Sequence, residues 1–157
     1  MTAQSRIVPL VGVDAVDDEH REFVRLLDQF NVEGTPDGQT IDQMLTELLQ
    51  YADTHFTNEE MVMRDVGYPA YWDHKDMHDR AEAEMHRLAE QNASEEEIRR
   101  VLGRFILNWF LLHIQSADQK LANWLQETGN EHHPLGLERS VPWKESTTAH
   151  PCFTAKA

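Results

Sequence analysis

Four segments of the chain repeat apolar residues at the spacing of an α-helix, and short stretches rich in turn-forming residues separate them. This spacing predicts helices over about residues 17–30, 41–66, 69–90 and 95–128. No segment shows a convincing alternation of apolar and polar residues, the pattern of a half-buried strand. Four helices with short connections favour an all-α fold, an antiparallel up-down-up-down four-helix bundle.

The ends of the predicted helices carry local signals of their own. Thr40 is a favoured N-cap residue, and Ser94 with Glu97 matches a capping box at the start of the fourth helix. Gly67 suits the position just after a helix C-terminus, and Pro69 suits the first turn of the helix that follows. These signals agree with the helix boundaries that the apolar spacing predicts.

Two segments flank the predicted bundle. The stretch 7–13 is apolar but contains Pro9 and Gly12, which argue against a helix, so we expect an ordered arm packed on the bundle. The C-terminal segment contains several prolines and no periodic pattern. The predicted organisation is one bundle domain over residues 1–129 and a C-terminal tail over residues 130–157.

Charge and cysteine content narrow the environment of the protein. The chain of 157 residues has 14 Lys and Arg against 28 Asp and Glu, and this acidity argues against nucleic acid and anionic membranes as partners. No apolar run approaches the roughly 20 residues that cross a bilayer, so membrane insertion is not expected. The single cysteine, Cys152, cannot form an internal disulfide, and the first residues lack a signal-peptide pattern. We expect a cytoplasmic protein.

Side chains of the types that bind metal ions recur on all four predicted helices. The set has five histidines and two carboxylates: His20, His55, Glu59, His74, His78, His113 and Asp118. Two pairs, His55 with Glu59 and His74 with His78, are four residues apart and so share a helical face. An isolated pair of this kind is weak evidence, but polar groups facing a core from four helices need partners. The set predicts a metal site inside the bundle, of a composition that suits non-haem iron.

The step from His113 to Asp118 does not fit a regular helix around one ion. Five residues turn a helix by about 140° beyond a full turn, so the two side chains diverge. Two neighbouring ions would accommodate both side chains, with Asp118 reaching between them. A π-bulge in the helix would also bring them together, and such bulges occur at functional sites.

Other metal-binding patterns fit the chain less well. The chain has no Glu-x-x-His pair, which ferritin-like di-iron bundles use, and no HExxH zinc protease motif. A mononuclear iron site with two histidines and one carboxylate would leave several inward-facing histidines unexplained.

With these motifs the chain closely resembles the hemerythrin family, in its single-domain bacterial form. The resemblance covers roughly residues 10–128 and depends on five stretches: VDDEH (16–20), HFTNEE (55–60), GYP (67–69), HKDMH (74–78) and HIQSAD (113–118). It implies a cofactor of two iron ions joined by an oxo or hydroxo bridge. It also implies that His74, His78 and His113 bind one iron, that His20 and His55 bind the other, and that Glu59 and Asp118 bridge both.

On this reading the two irons differ in coordination. The first would have six ligands and the second five, which leaves one position open for a small ligand. The resemblance therefore implies reversible binding of dioxygen for transport, storage or delivery, without catalysis. We expect an apolar pocket around the open position, walled by residues that would otherwise be ordinary core: Ile114, Trp109, Phe110, Val24 and Leu27.

Two other functions stay open at this point. One is an oxygen or redox sensing module, although the sequence shows no output domain. The other is a di-iron peroxidase or a nitric-oxide-handling protein, although the sequence places no evident acid or base beside the open position. We expect a monomer, with an oxygen-consuming enzyme as a partner. Glu19 departs from the family pattern, in which a glutamine often precedes the first histidine ligand.

Overall fold

The computed structural model describes residues 7–130, and within that range all regular secondary structure is helical. The first three helices are α1 (Asp14–Asp28), α2 (Ile41–Asp65) and α3 (Tyr71–Glu90), with short 3-10 turns at Gln29–Asn31 and Pro36–Gly38 between α1 and α2. The fourth, α4, is continuous but changes its winding: Glu95–Arg100, Leu107–His113 and Gln119–Glu127 are α-helical, and Val101–Ile106 and Ile114–Asp118 form π turns. The predicted all-α four-helix bundle is confirmed.

The helix boundaries follow the local signals closely. Thr40 and Gln43 form a full capping box, in which each side chain accepts a hydrogen bond from the backbone N–H of the other residue. Gly67 follows α2 with a φ of 69°, a conformation that favours glycine. The first and third helices begin at Asp14 and Tyr71, so the predicted starts, near residues 17 and 69, were three residues late and two residues early.

The predicted capping box at the fourth helix is only half formed. The Ser94 hydroxyl accepts a hydrogen bond from the Glu97 backbone N–H at 3.2 Å, so Ser94 is the N-cap. The Glu97 side chain does not return to the Ser94 backbone; it accepts from the Arg87 guanidinium on α3, at 3.1 Å. A charged partner on a neighbouring helix competes successfully for this carboxylate.

The π turns change which residues of α4 face the core. The apolar spacing places Phe105 and Leu112 with the core residues, yet the side chains of both are 64% exposed. Each π turn adds a residue to its turn and so rotates the following side chains relative to a regular α-helix. The buried positions there are Ile106, at the end of the first π turn, and Leu107 and Phe110 just after it.

The helices pack around one main apolar core. α2 packs against both α1 and α3, and α1 also packs against α4. The largest fully buried side chains come from all four helices: Phe23, Leu27, Phe30, Met44, Leu48, Phe56, Met63, Met85, Leu88, Ile98, Leu102 and Phe110. Most of these side chains belong to one core cluster, and Met63 packs with Tyr68 and Leu121 in a second, smaller one.

The N-terminal arm, residues 7–13, lies on the bundle as predicted. Val11 is buried, and Val8 and Val13 pack against the core. The carboxylate of Asp17 accepts hydrogen bonds from the backbone N–H groups of Val11 (2.8 Å) and Gly12 (3.1 Å). Asp17 therefore attaches the arm to α1.

Within the described residues, no helix is long and apolar enough to cross a membrane. The division into a domain over 1–129 and a tail over 130–157 stays a prediction, because all of the tail except Asn130 lies outside the described residues.

Candidate metal centre

Five of the seven predicted ligands meet at one point inside the bundle. They are Glu59 from α2, His74 and His78 from α3, and His113 and Asp118 from α4, and their ligand atoms all lie within 4.8 Å of one another. The Nε2 atom of His113 is 3.0 Å from the Nε2 atoms of both His74 and His78. Three imidazole nitrogens that converge in this way face a common centre.

The two carboxylates lie against this histidine group. Asp118 Oδ1 is 3.1 Å from His74 Nε2 and 3.0 Å from His113 Nε2. Glu59 Oε2 is 3.4 Å from His74 Nε2 and 3.2 Å from His78 Nε2. The cluster thus combines three nitrogen and two oxygen donors, a set that suits iron.

The remaining two predicted ligands, His20 on α1 and His55 on α2, form a second group. Their rings are 5.2 Å apart in edge-to-face geometry, and both side chains are buried. His20 Nε2 is 3.3 Å from Asp118 Oδ2, the oxygen that does not face His74 and His113. Asp118 therefore presents one oxygen to each histidine group, as a bridging carboxylate does.

The π turn at Ile114–Asp118 explains how α4 supplies both His113 and Asp118. The wider turn brings the Asp118 carboxylate back to 3.0 Å from His113 Nε2, although the residues are five apart. The predicted π-bulge is confirmed. The bulge and the two-ion arrangement are compatible, since the same Asp118 side chain also reaches His20.

Two carboxylates outside the predicted set contact histidines that belong to it. The Nδ1 of His55 lies 2.9 Å from Glu19 Oε2, and the Nδ1 of His78 lies 3.2 Å from Glu60 Oε1. Lys75 contacts the other oxygen of Glu60, at 3.1 Å. A carboxylate that accepts the Nδ1 proton leaves the Nε2 lone pair free for a metal ion and holds the ring in position.

Sequence reasoning did not assign these roles to Glu19 and Glu60. Each is adjacent in sequence to a predicted ligand, and a neighbouring residue on a helix points about 100° away. Each therefore faces a histidine on another helix. For Glu19, the departure from the family pattern at this position could have indicated the role.

Without a metal ion, the buried charges interact strongly with one another. Burial and the neighbouring Asp118 carboxylate would each raise the pKa of Glu59, but His74 and His78 hold it below its usual range. Burial would likewise raise the pKa of Asp118, yet close contacts with the imidazoles of His113, His20 and His74 hold it well below the usual value. Both carboxylates are therefore ionised and ready to bind a cation.

The pKa values of the histidines in the cluster shift in different directions. Burial would lower the pKa of His74, but Asp118 and Glu59 raise it to about 10. The same opposition, with the carboxylates prevailing, raises the pKa values of His20 and His78. Burial prevails at His113 and lowers its pKa.

Several buried nitrogen and oxygen atoms of the cluster that could bind a metal ion have no hydrogen-bond partner among the described residues. They include His20 Nε2, His55 Nε2, Glu59 Oε2 and both oxygens of Asp118. An unpartnered buried polar atom costs about 1–3 kcal/mol, and more where it is charged. Metal ions held by these atoms would remove that cost, so the residues present fit a carboxylate-bridged pair of metal ions.

Aromatic rings enclose both histidine groups. The Phe110 ring centroid is 5.6 Å from that of His20 and 5.9 Å from that of His55. Phe56 stacks on His78 at 4.2 Å with an interplanar angle of 17°. These rings keep that side of the cluster apolar and restrict the movement of the imidazoles.

The five residues predicted to wall an oxygen pocket all lie on the core side of the structure. Trp109 stacks on His113 at 4.8 Å, and Phe110 contacts His20 and His55 as described. Ile114, Val24 and Leu27 are buried in the main core. Their role as an oxygen pocket stays a prediction.

This four-helix bundle places two groups of histidines around one buried aspartate. Such an arrangement is typical of helical proteins that bind two metal ions bridged by a carboxylate. A family model described as the hemerythrin HHE cation binding domain matches residues 11–125. The chain belongs to the hemerythrin family. The resemblance predicted from the ligand motifs is thereby confirmed.

Individual relatives agree with this assignment. The chain is 32% identical over 122 residues to a bacteriohemerythrin of Aquifex aeolicus, covering 75% of this chain and 93% of that protein. It is 28% identical over 125 residues to a bacteriohemerythrin of Stenotrophomonas maltophilia, covering 77% and 80%. A bacteriohemerythrin of Methylococcus capsulatus is 28% identical over 110 residues, covering 69% and 84%. No solved structure matches the chain.

Family membership and the donor set together define the cofactor. The chain is a non-haem iron-binding domain, and its buried histidine and carboxylate cluster suits the family's di-iron centre. His86, a histidine outside the predicted ligand set, is exposed on α3.

Proposed function

We propose that the chain binds dioxygen reversibly at the di-iron centre and serves in oxygen transport, storage or delivery rather than catalysis. One observation carries the proposal: three histidines meet on one side of Asp118, and only two lie on the other. If both carboxylates bridged two irons, one iron would have one protein ligand fewer than the other. When bound, the two ferrous ions supply the electrons that make dioxygen binding favourable.

The protein's contribution is to hold this asymmetric site dry and rigid. Phe23, Phe56 and Phe110 surround His55 with ring centroids 5.9, 5.5 and 5.9 Å away. Apolar walls disfavour charged products, because an uncompensated buried charge is costly. Such walls therefore favour release of an intact neutral molecule over further reaction.

We place the protein in the cytoplasm as a monomer that supplies an oxygen-consuming enzyme. The support is its single cysteine, which forms no internal disulfide, and its acidic surface, which favours solubility.

One observation favours an enzymatic alternative, a peroxidase or a nitric-oxide-handling protein. Glu19, partly exposed, lies beside His55 and also lines a cavity next to the metal centre. A carboxylate in that position is able to exchange protons with solvent. The sensing alternative has no comparable feature among the described residues.

Titration of the anaerobic ferrous protein with oxygen tests the proposal. We expect a new visible absorption band that grows with oxygen, reaches one equivalent per chain and disappears when oxygen is removed. Rapid conversion to a stable ferric form, without a reversible band, would instead support an enzyme or a sensor.

A pair of histidine variants makes this test specific to the site. His55→Ala removes one of the two histidines on the side that is a ligand short, and we expect it to abolish the reversible band. His86→Ala removes an exposed histidine from α3 and should leave the band unchanged. Retention of oxygen binding in His55→Ala would refute the assignment of the ligands.

A further inference from the structure

A cavity of about 50 Å³ adjoins the metal centre on the side where the N-terminal arm lies. Its outer wall is formed by Val11, Val13 and Val16, and its opposite wall by Leu121, Ala122 and Leu125. At its inner end it reaches His55, Glu59 and Asp118. It therefore connects the arm directly to residues from both halves of the centre.

This cavity is distinct from the predicted oxygen pocket. None of the five residues predicted for that pocket is among the residues that line the cavity. Phe110 and Trp109 fill the core side of the histidines with aromatic rings. The arm-side cavity thus offers a second approach to the centre.

The volume of the cavity and the residues that line it determine which molecules it can hold. One water molecule needs roughly 10–15 Å³ of such volume, so about 50 Å³ admits a molecule of a few heavy atoms. The walls are mainly aliphatic, and apolar cavities of this kind exclude ions and bind small apolar molecules. The polar residues that line it are the predicted metal ligands, Glu19, which is paired with His55, and the amides Asn58 and Asn130.

The arm that covers the cavity is held at one point. Both carboxylate oxygens of Asp17 accept backbone N–H groups of the arm, and Asp17 is only 3% exposed. This attachment keeps Val11 buried, at 4% exposure, over the cavity. The outer wall is therefore part of the folded structure.

We propose that the arm-side cavity is a holding site for one small neutral molecule on its route to the di-iron centre. The identity of that molecule as dioxygen rests on the proposed function, whereas the existence of the site does not. Val11 and Val13 of the arm form its cover, and the small side chain of Ala122 leaves space within it.

Xenon binding to the iron-loaded ferric protein tests the holding site without any oxygen chemistry. We expect xenon pressure to shift the methyl NMR signals of Val16, Ala122 and Leu125, and Ala122→Leu to abolish these shifts by filling the cavity. Ala81→Leu is the matched control, because Ala81 is an equally buried alanine on α3 that does not line the cavity. Val16→Phe fills the cavity from the opposite wall, in case Ala122→Leu fails to fold.

Rapid mixing of the ferrous protein with oxygen then tests the route. We expect a filling variant to slow oxygen association by roughly tenfold with unchanged iron content, whereas Ala81→Leu keeps the wild-type rate. Absence of xenon shifts in the wild-type protein would overturn the holding site. If Ala122→Leu abolishes xenon binding but leaves the rate of oxygen association unchanged, the proposed route is overturned. If no variant or wild-type protein binds oxygen, the proposed function fails, and the xenon result alone decides the holding site.

Discussion

Asp118→Ala is expected to leave no more than one iron bound per chain. Its carboxylate lies 3.1 and 3.0 Å from the Nε2 atoms of His74 and His113 through one oxygen, and 3.3 Å from His20 Nε2 through the other. The substitution therefore removes a ligand from both irons and one of the two buried negative charges that balance them. Iron per folded chain, measured by elemental analysis, should fall from two to one or fewer.

Asp17→Ala is the matched control for this loss. Asp17 is another buried aspartate, 3% exposed against 2% for Asp118, but its hydrogen bonds go to the arm. The control should keep two irons even where it lowers stability. Two irons retained in Asp118→Ala would show that the aspartate does not bridge the centre.

Removal of the iron from the wild-type protein should destabilise the fold by at least about 3 kcal/mol, the stabilisation expected from a ligand that binds only the folded state at more than roughly 100 times its Kd. The apo protein keeps two ionised carboxylates and five imidazoles in the interior, and several of their atoms lack hydrogen-bond partners among the described residues. For a chain of this size the melting temperature should fall by roughly 6–12 °C. Thermal unfolding of chelated and iron-loaded protein, followed by circular dichroism, measures the difference.

The pH dependence of stability should also differ between the two forms. Because the folded pKa of His74 is raised to about 10 from its ordinary 6.5, its contribution in the apo protein is complete below pH 6.5 and lost as the pH rises towards 10. The lowered pKa values of Glu59 and Asp118 contribute above the ordinary carboxyl range and are lost in acid. Apo stability should therefore decline from pH 6.5 to pH 9.

Iron replaces the proton on His74, so the loaded protein should lack this alkaline decline. Urea unfolding of both forms at several pH values tests the difference, with the loaded protein as the control. An apo protein that gains stability between pH 6.5 and pH 9 would contradict the charge arrangement of the cluster.

The clustering of the predicted ligands inside the bundle could be anticipated from the sequence because helical spacing determines which residues share a face. His55 with Glu59 and His74 with His78 fit regular helices, and the structure shows that they face the interior. The five-residue step from His113 to Asp118 was equally informative. On a regular α-helix these two side chains would diverge, so a site that contains both predicts a π turn between them. Polar residues at core positions are costly, so a whole set of them strongly constrains the fold.

Contacts between helices were much harder to predict. The pairing of Glu19 with His55 and of Glu60 with His78 depends on how neighbouring helices are rotated. Phe105 and Leu112 were assigned to the apolar face because regular helical spacing places them there. The first π turn, at Val101–Ile106, puts no polar residue at a core position, so nothing in the sequence indicates that the helix departs from regular geometry. The arm-side cavity depends on where the arm crosses the bundle, which the periodicity of the helices does not determine.

Mössbauer spectroscopy of protein loaded with ⁵⁷Fe distinguishes a di-iron centre from a single-metal site, because it counts iron sites and reports whether they are coupled. Five ligand atoms already converge without His20 and His55, so a single-metal site is the competing arrangement. The shared aspartate predicts two iron sites of equal intensity per chain, magnetically coupled in the ferric state. A single uncoupled ferric site, bound by the five-residue cluster alone, would contradict the account.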